Sequence, residues 1–362
     1  MWVVKIVQKI IDRTNGLFKE LLVPIEAILL GFMVGAMIIL AIGANPIEVY
    51  KALIIGAFGD LNKIANTLTR STPIIFTGLA VTFAFRCGLF NIGVEGQLLM
   101  GALAAAYLGV AVDGLPWFIH LPIAIIGAVV VGGLWAAIPG ILKAVRGVHE
   151  VINTIMMNFI AYAFVAYMVS DVLKAPGQTP RTKTVLESAQ LLQLGEVVTW
   201  STSRLNIGFL LAIIALILIY YLLWKTTIGY EVRAVGLSPT AAEYGGISPA
   251  KKIILAMVIS GALGGLAGAE RVLGFNEAFI LGFSPGFGFE GIAVALLGRN
   301  HPVGVFLAAL LFGALANGGA WMNFTTDVPV DLIIVLQAII IFFVAADKII
   351  RDLLPKMKKG VA

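Results

Sequence analysis

The chain has 362 residues, 60% of them hydrophobic and 12% charged, with a net charge of +5 and a mean hydropathy of +0.99. This excludes an ordinary soluble domain and predicts an all-α, polytopic membrane protein, for which about 20 residues per helix leave room for roughly ten spans. One cysteine, Cys87, excludes an internal disulfide, the three histidines lack metal-ligand spacing, and basic residues flanking the spans explain the charge without nucleic acid.

Residues 1–22 read as an interfacial basic segment. Trp2, Val3, Ile6, Val7, Ile10 and Ile11 fall at helical spacing with Lys5, Lys9 and Arg13 between them, the pattern of a helix lying on the inner leaflet. A single transmembrane domain is expected over 23–347, followed by a basic tail at 348–362. Spans are expected at 23–43, 71–86, 92–111, 117–139, 151–173, 205–224, 251–273, 286–298, 303–321 and 330–347. The second is short, with Pro73 and Gly78 inside it, and so is the eighth. Residues 44–70 are mixed, with room for a short surface helix. Gly31-x-x-x-Gly35 in the first span, and Gly261-x-x-x-Gly265 with Gly264-x-x-x-Gly268 in the seventh, are spacings that let helix backbones approach closely. The largest polar segment is 174–204.

Basic residues orient the chain. With the N-terminus inside, 17 of the 25 Lys and Arg fall on the inner side: four before the first span, Arg86, two at 143–149, four at 225–252, Arg299, and five in the tail. The positive-inside rule then puts both termini in the cytoplasm and the 174–204 segment outside.

Residues 225–252 form the longest inner connection and carry their own helix punctuation. Ser238 suits an N-cap and Pro239 the first helical position. Gly245 and Gly246 supply a left-handed stop, and Ser248-Pro249 repeats the start signal. A helix of about two turns is expected at 239–245.

Within the spans, Phe85-Arg-Cys-Gly-Leu-Phe-Asn-Ile-Gly-Val-Glu-Gly-Gln97 sets Asn91, Glu95 and Gln97 among apolar residues and glycines. A carboxylate in lipid costs at least ~2.5 kcal/mol, so Glu95 is expected to face a cavity or protein. Two readings stand for it: a fold-holding role, capping a half-helix or pairing with Arg86, or membership of a polar ring along a solute path. Phe283-Ser-Pro-Gly-Phe-Gly-Phe-Glu290-Gly has the same character, and the two stretches suggest an internal repeat of the kind transporters use. Phe275, Phe279, Phe283, Phe287 and Phe289 cluster before the eighth span, either as packing anchors or as faces for a nucleobase or sugar. Gly-x-x-x-x-Gly-Lys-Ser/Thr does not occur, so any ATPase is a separate polypeptide. The residues offer no catalytic set and no metal cluster; the chain does not read as an enzyme.

Arg233-Ala-Val-Gly-Leu-Ser-Pro-Thr-Ala-Ala-Glu-Tyr-Gly-Gly-Ile247, Gly88-Leu-Phe-Asn-Ile-Gly-Val-Glu-Gly-Gln97 and Gly288-Phe-Glu-Gly-Ile-Ala-Val-Ala-Leu-Leu-Gly298 resemble ABC-importer permeases of the ribose, branched-chain amino acid and nucleoside group, and within it the guanosine-type nucleoside branch. The resemblance implies a permease of a bacterial cytoplasmic membrane, paired with a second homologous permease. It also implies an ATPase subunit that binds ATP and Mg, and an extracytoplasmic solute-binding (lipo)protein. The family's coupling residues carry over to Gly236, Ala241, Ala242, Glu243 and Gly246, with small side chains at 241–242 seating in a groove of the ATPase. Solute-path residues carry over to Phe90, Asn91, Glu95, Gln97 and Glu290, and Phe287 of the aromatic cluster is expected beside them. A simple-sugar importer is the alternative within the group, and a secondary transporter using Glu95 or Glu290 as a proton site is the alternative outside it.

Overall fold

The computed structural model describes residues 25–195, 203–326 and 328–344. In chain order the helices are α1 (Ile25–Ala41), α2 (Pro46–Phe58), α3 (Leu61–Arg86), α4 (Val94–Ala111), α5 (Trp117–Arg146) and α6 (Glu150–Tyr167). They continue as α7 (Gly208–Lys225), α8 (Thr227–Leu237), α9 (Pro239–Tyr244), α10 (Pro249–Glu270), α11 (Phe287–Leu297), α12 (Pro302–Thr326) and α13 (Asp331–Val344). A π turn prolongs α6 to Val172 and another prolongs α10 from Arg271 to Asn276. Seven of these helices are long and apolar enough to cross a membrane, and α1, α11 and α13 are shorter apolar helices. Each of the ten falls on an expected span. The segments 1–22 and 348–362 lie outside the described residues.

The boundaries differ most at three places: the fourth span runs on to Arg146 and the ninth to Thr326, and the second begins early. The second span is not short: α3 begins at Leu61, ten residues early, and is 26 residues long. Asn62, Lys63, Asn66, Thr67, Thr69 and Arg70 lower its hydropathy, but the helix accommodates them. Asp60 caps it by accepting from the Lys63 N–H at 2.8 Å, a bond that holds its carboxyl below the usual range. The hydroxyls of Thr69, Ser71 and Thr72 each donate to the carbonyl four residues back, all at 2.8 Å.

Residues 57–317 make one compact unit. Its core is α3, in which every residue from Ser71 to Ala84 is buried; a helix apolar on all sides is one surrounded by others. Two glycine pairs of α10 serve two neighbours. A Cβ at Gly261 would collide with the Gly132 carbonyl and one at Gly265 with that of Ala128, both on α5. On the other face, Gly264 meets Gln97, and a Cβ at Gly268 would collide with the Leu98 carbonyl of α4. Backbone thus packs on backbone, the contact that drives association where lipid is as apolar as the side chains. The segment after α6 is tied down by main-chain bonds from Val185 to Glu277, from Leu186 to Gly109 and from Leu191 to Leu273.

The second unit joins the residues on either side of that range. Gly31 and Gly35 of α1 meet Ile340 and Leu336 of α13, and Gly318 of α12 meets Leu53 of α2.

Candidate functional site

The site starts where α3 ends. Gly88, with φ of +75°, turns the chain back, and residues 89–93 run non-helically to α4. The first turn of α4 has no cap from its own N-cap residue, Gly93. Instead Asn91 Oδ1 accepts from the Gly93 N–H (2.9 Å), and Asn158 Oδ1 on α6 accepts from the Gly96 N–H (2.9 Å). Asn91 and Gln97 exchange amide bonds at 3.0 and 3.2 Å, and Asn91 Nδ2 also donates to Ser260 Oγ on α10 (2.9 Å). Ser260 in turn donates to the Ala80 carbonyl of α3 (2.7 Å). Asn91, Gln97 and Ser260 are all buried. This network joins α3, α4 and α10, and it spends the Asn91 and Gln97 amides on the fold.

Glu95 is fully buried in the first turn of α4. It does not pair with Arg86. Its Oε2 accepts from the Gly288 N–H at 2.7 Å, in the first turn of α11. A Cβ at Gly288 would collide with the Glu95 amide nitrogen, and Thr77 of α3 donates to the Phe287 carbonyl at 2.9 Å. The two stretches that looked alike in sequence therefore meet, N-terminus to N-terminus, against the middle of α3. Each end carries partial positive charge, and each has an acid, Glu95 or Glu290, in its first turn. Glu290 lies in electrostatic reach of Glu95 and of Arg70. Phe90 is apart from this crossing, its ring 5.0 Å from that of Phe85.

The seventh expected span hid two charges, Glu270 and Arg271, both buried. Glu270 Oε1 accepts from Asn206 Nδ2 at 3.1 Å, and Asn206 Oδ1 accepts from the Gly208 N–H at the start of α7 (2.8 Å). The Arg271 guanidinium carbon lies 3.8 Å from the Phe275 ring centroid and 5.4 Å from that of Phe287. The sequence signal was available: adjacent opposite charges inside an apolar run, followed by the phenylalanine cluster.

On the other side of the Gly88 turn lie α8 and α9. Gly88 packs on Gly236, and a Cβ at Gly236 would collide with the Arg86 carbonyl. Arg86 donates to the Asn300 carbonyl at 2.8 Å and lies 5.1 Å from the Trp224 ring. Glu231 of α8 pairs with Lys252 of α10. Ser238 caps α9 by accepting from the Ala241 N–H (3.3 Å), Pro239 opens it, and Gly246 follows it with φ of +81°. Ala241, Glu243 and Gly246 face outward, but Ala242 is buried against its own chain. The large exposed side chains are Leu237 at 89% and Tyr244 at 91%, which composition-based reasoning passed over in favour of the small residues.

Residues 63–345 match the family of branched-chain amino acid transport system permease components. The chain belongs to this permease family. It is 48% identical over 343 residues to the guanosine ABC transporter permease NupP of Bacillus subtilis, covering 94% of this chain and 97% of that protein. Identity to the nucleoside ABC transporter permease NupB of Lactococcus lactis is 40% (95% and 96% covered), and to the glucose ABC transporter permease TsgB13 of Haloferax volcanii 32% (91% and 88% covered). The first two species each hold a second matching permease, NupQ at 26% and NupC at 29% identity. The permease is a multi-pass membrane protein and the transport component of an ABC system.

Proposed function

We propose that this permease is one of two homologous subunits that form the solute path of an ATP-driven nucleoside importer. The observation that carries the reading is the backbone-to-backbone contact by which the α8–α9 hairpin rests on the turn leading to the crossing of α4 and α11. The α8–α9 hairpin ends in an exposed knob, Leu237 and Tyr244, suited to a groove on an ATPase subunit. Gly236 rests on Arg86 and Gly88, and six residues beyond Gly88 the chain enters α4, whose Glu95 grips α11. A shift of the hairpin on ATP binding is thereby delivered to two opposed helix ends, the kind of broken-helix element that lines transporter sites. ATP and Mg belong to the ATPase, and a binding protein delivers solute from outside. Both termini lie in the cytoplasm, as the basic residues indicate.

The nucleoside assignment is supported by the names of two relatives at 40% identity or more, and a second permease by the paired relatives in each species. The test is radiolabelled nucleoside uptake into proteoliposomes holding this chain with its genomic neighbours. Uptake is expected only with ATP and only with the ATPase present; uptake driven by a proton gradient without the ATPase overturns the reading. The glucose permease among the relatives favours simple sugars as the second reading, which competition by unlabelled ribose against unlabelled nucleoside separates.

A further inference from the structure

Arg271 is buried to 6% exposure, yet its Nε has no hydrogen-bond partner. Its contacts are the ring faces of Phe275 and Phe287. Glu270, adjacent in sequence, directs one carboxylate oxygen to Asn206 and stays in electrostatic reach of Arg271 without a hydrogen bond to its Nε. A buried guanidinium is costly unless its donors are used; here it lies against aromatic rings, which leaves Nε without a partner. The position is not incidental to the crossing described above. Phe287 opens α11, next to Gly288 that Glu95 holds. Arg70, exposed on α3, is in electrostatic reach of both Arg271 and Glu290.

We propose that Arg271 reads the base of the solute, its planar fork taking the paired acceptors O6 and N7 of a 6-oxopurine nucleoside. The inference rests on the nucleoside reading and narrows it. Two neighbouring acceptors match the fork's spacing and make a bidentate pair. Adenine sets N7 beside an N6 amine, so a donor meets a donor and one of the two bonds is lost. The ring of Phe275, 3.8 Å from the guanidinium carbon, and that of Phe287 at 5.4 Å are the faces against which the guanidinium rests.

The test compares inosine with adenosine, which differ at C6, in vesicles carrying this chain with its genomic neighbours. Dividing each variant's inosine-to-adenosine uptake ratio by the wild-type ratio cancels the selectivity of the binding protein. Arg271→Lys keeps the charge but not the fork, and the ratio is expected to fall about tenfold, in the range of one bidentate pair. Phe275→Leu keeps the guanidinium and removes its platform, and is expected to shift the ratio in the same direction by about threefold; it serves as the test if Arg271→Lys does not reach the membrane. Equal losses for both solutes, or unchanged ratios, overturn the role of Arg271 while leaving a nucleoside importer intact. A wild type that takes up ribose and no nucleoside overturns the nucleoside reading itself, and this inference with it.

Discussion

Glu95 shows how one side chain can hold a helix crossing without a cationic partner. Its Oε2 meets a backbone N–H of α11, and an amide oxygen can accept the same bond. Glu95→Gln is therefore expected to insert normally and keep uptake within about threefold of wild type, whereas Glu95→Ala leaves the Gly288 N–H unpaired at ~1–3 kcal/mol. Thermal unfolding in detergent should show the Ala variant lowered and the Gln variant close to wild type, with uptake falling about tenfold only in the former. A Gln variant whose uptake loses all pH dependence would instead assign the carboxyl a proton-carrying role. Asn91 behaves similarly: removing its amide strands groups on α4 and α10 together.

Helices reveal which signals a sequence carries and which it hides. All ten apolar segments were legible, because hydropathy is set by each segment alone, and the α9 cap was legible because Ser238, Pro239 and Gly246 act locally. The true start of α3 was not, since its polar residues are satisfied inside the helix, a cost that hydropathy counts and geometry removes. Nor could spacing tell that Ala242 turns inward while Ala241 turns outward, because a six-residue helix gives one turn too few for a periodic face. The two positions now separate. Ala241→Trp is expected to reach the membrane at wild-type levels and lose uptake by more than about tenfold. Ala242→Trp overpacks a buried site, costs ~1–3 kcal/mol, and should lower the amount of folded protein instead. Immunoblots of membranes beside uptake rates tell the two apart. Gly265→Val, where α10 touches the backbone of α5, should cost at least as much and show itself as reduced yield.

At the level of the whole molecule, the Gly88–Gly236 contact joins the hairpin to the helix crossing, so loosening it should uncouple the two. Gly236→Val, which would collide with the Arg86 carbonyl, is expected to leave ATP hydrolysis by the assembled transporter and reduce uptake about tenfold; equal loss of both would indicate failed assembly. Orientation is checked with single cysteines in a Cys87→Ser background: a cysteine at Ala241 should react with an impermeant maleimide only from the inner side, and one at Gly177 only from the outer side. The burial of α3 on all sides also has a consequence for how the chain is made. Its neighbours α7, α10 and α11 are synthesised more than a hundred residues later, so α3 waits in the bilayer before its final companions exist. Thr69, Ser71 and Thr72 bond their hydroxyls to its own carbonyls, which lets a helix destined for the interior survive that interval as a guest of the lipid.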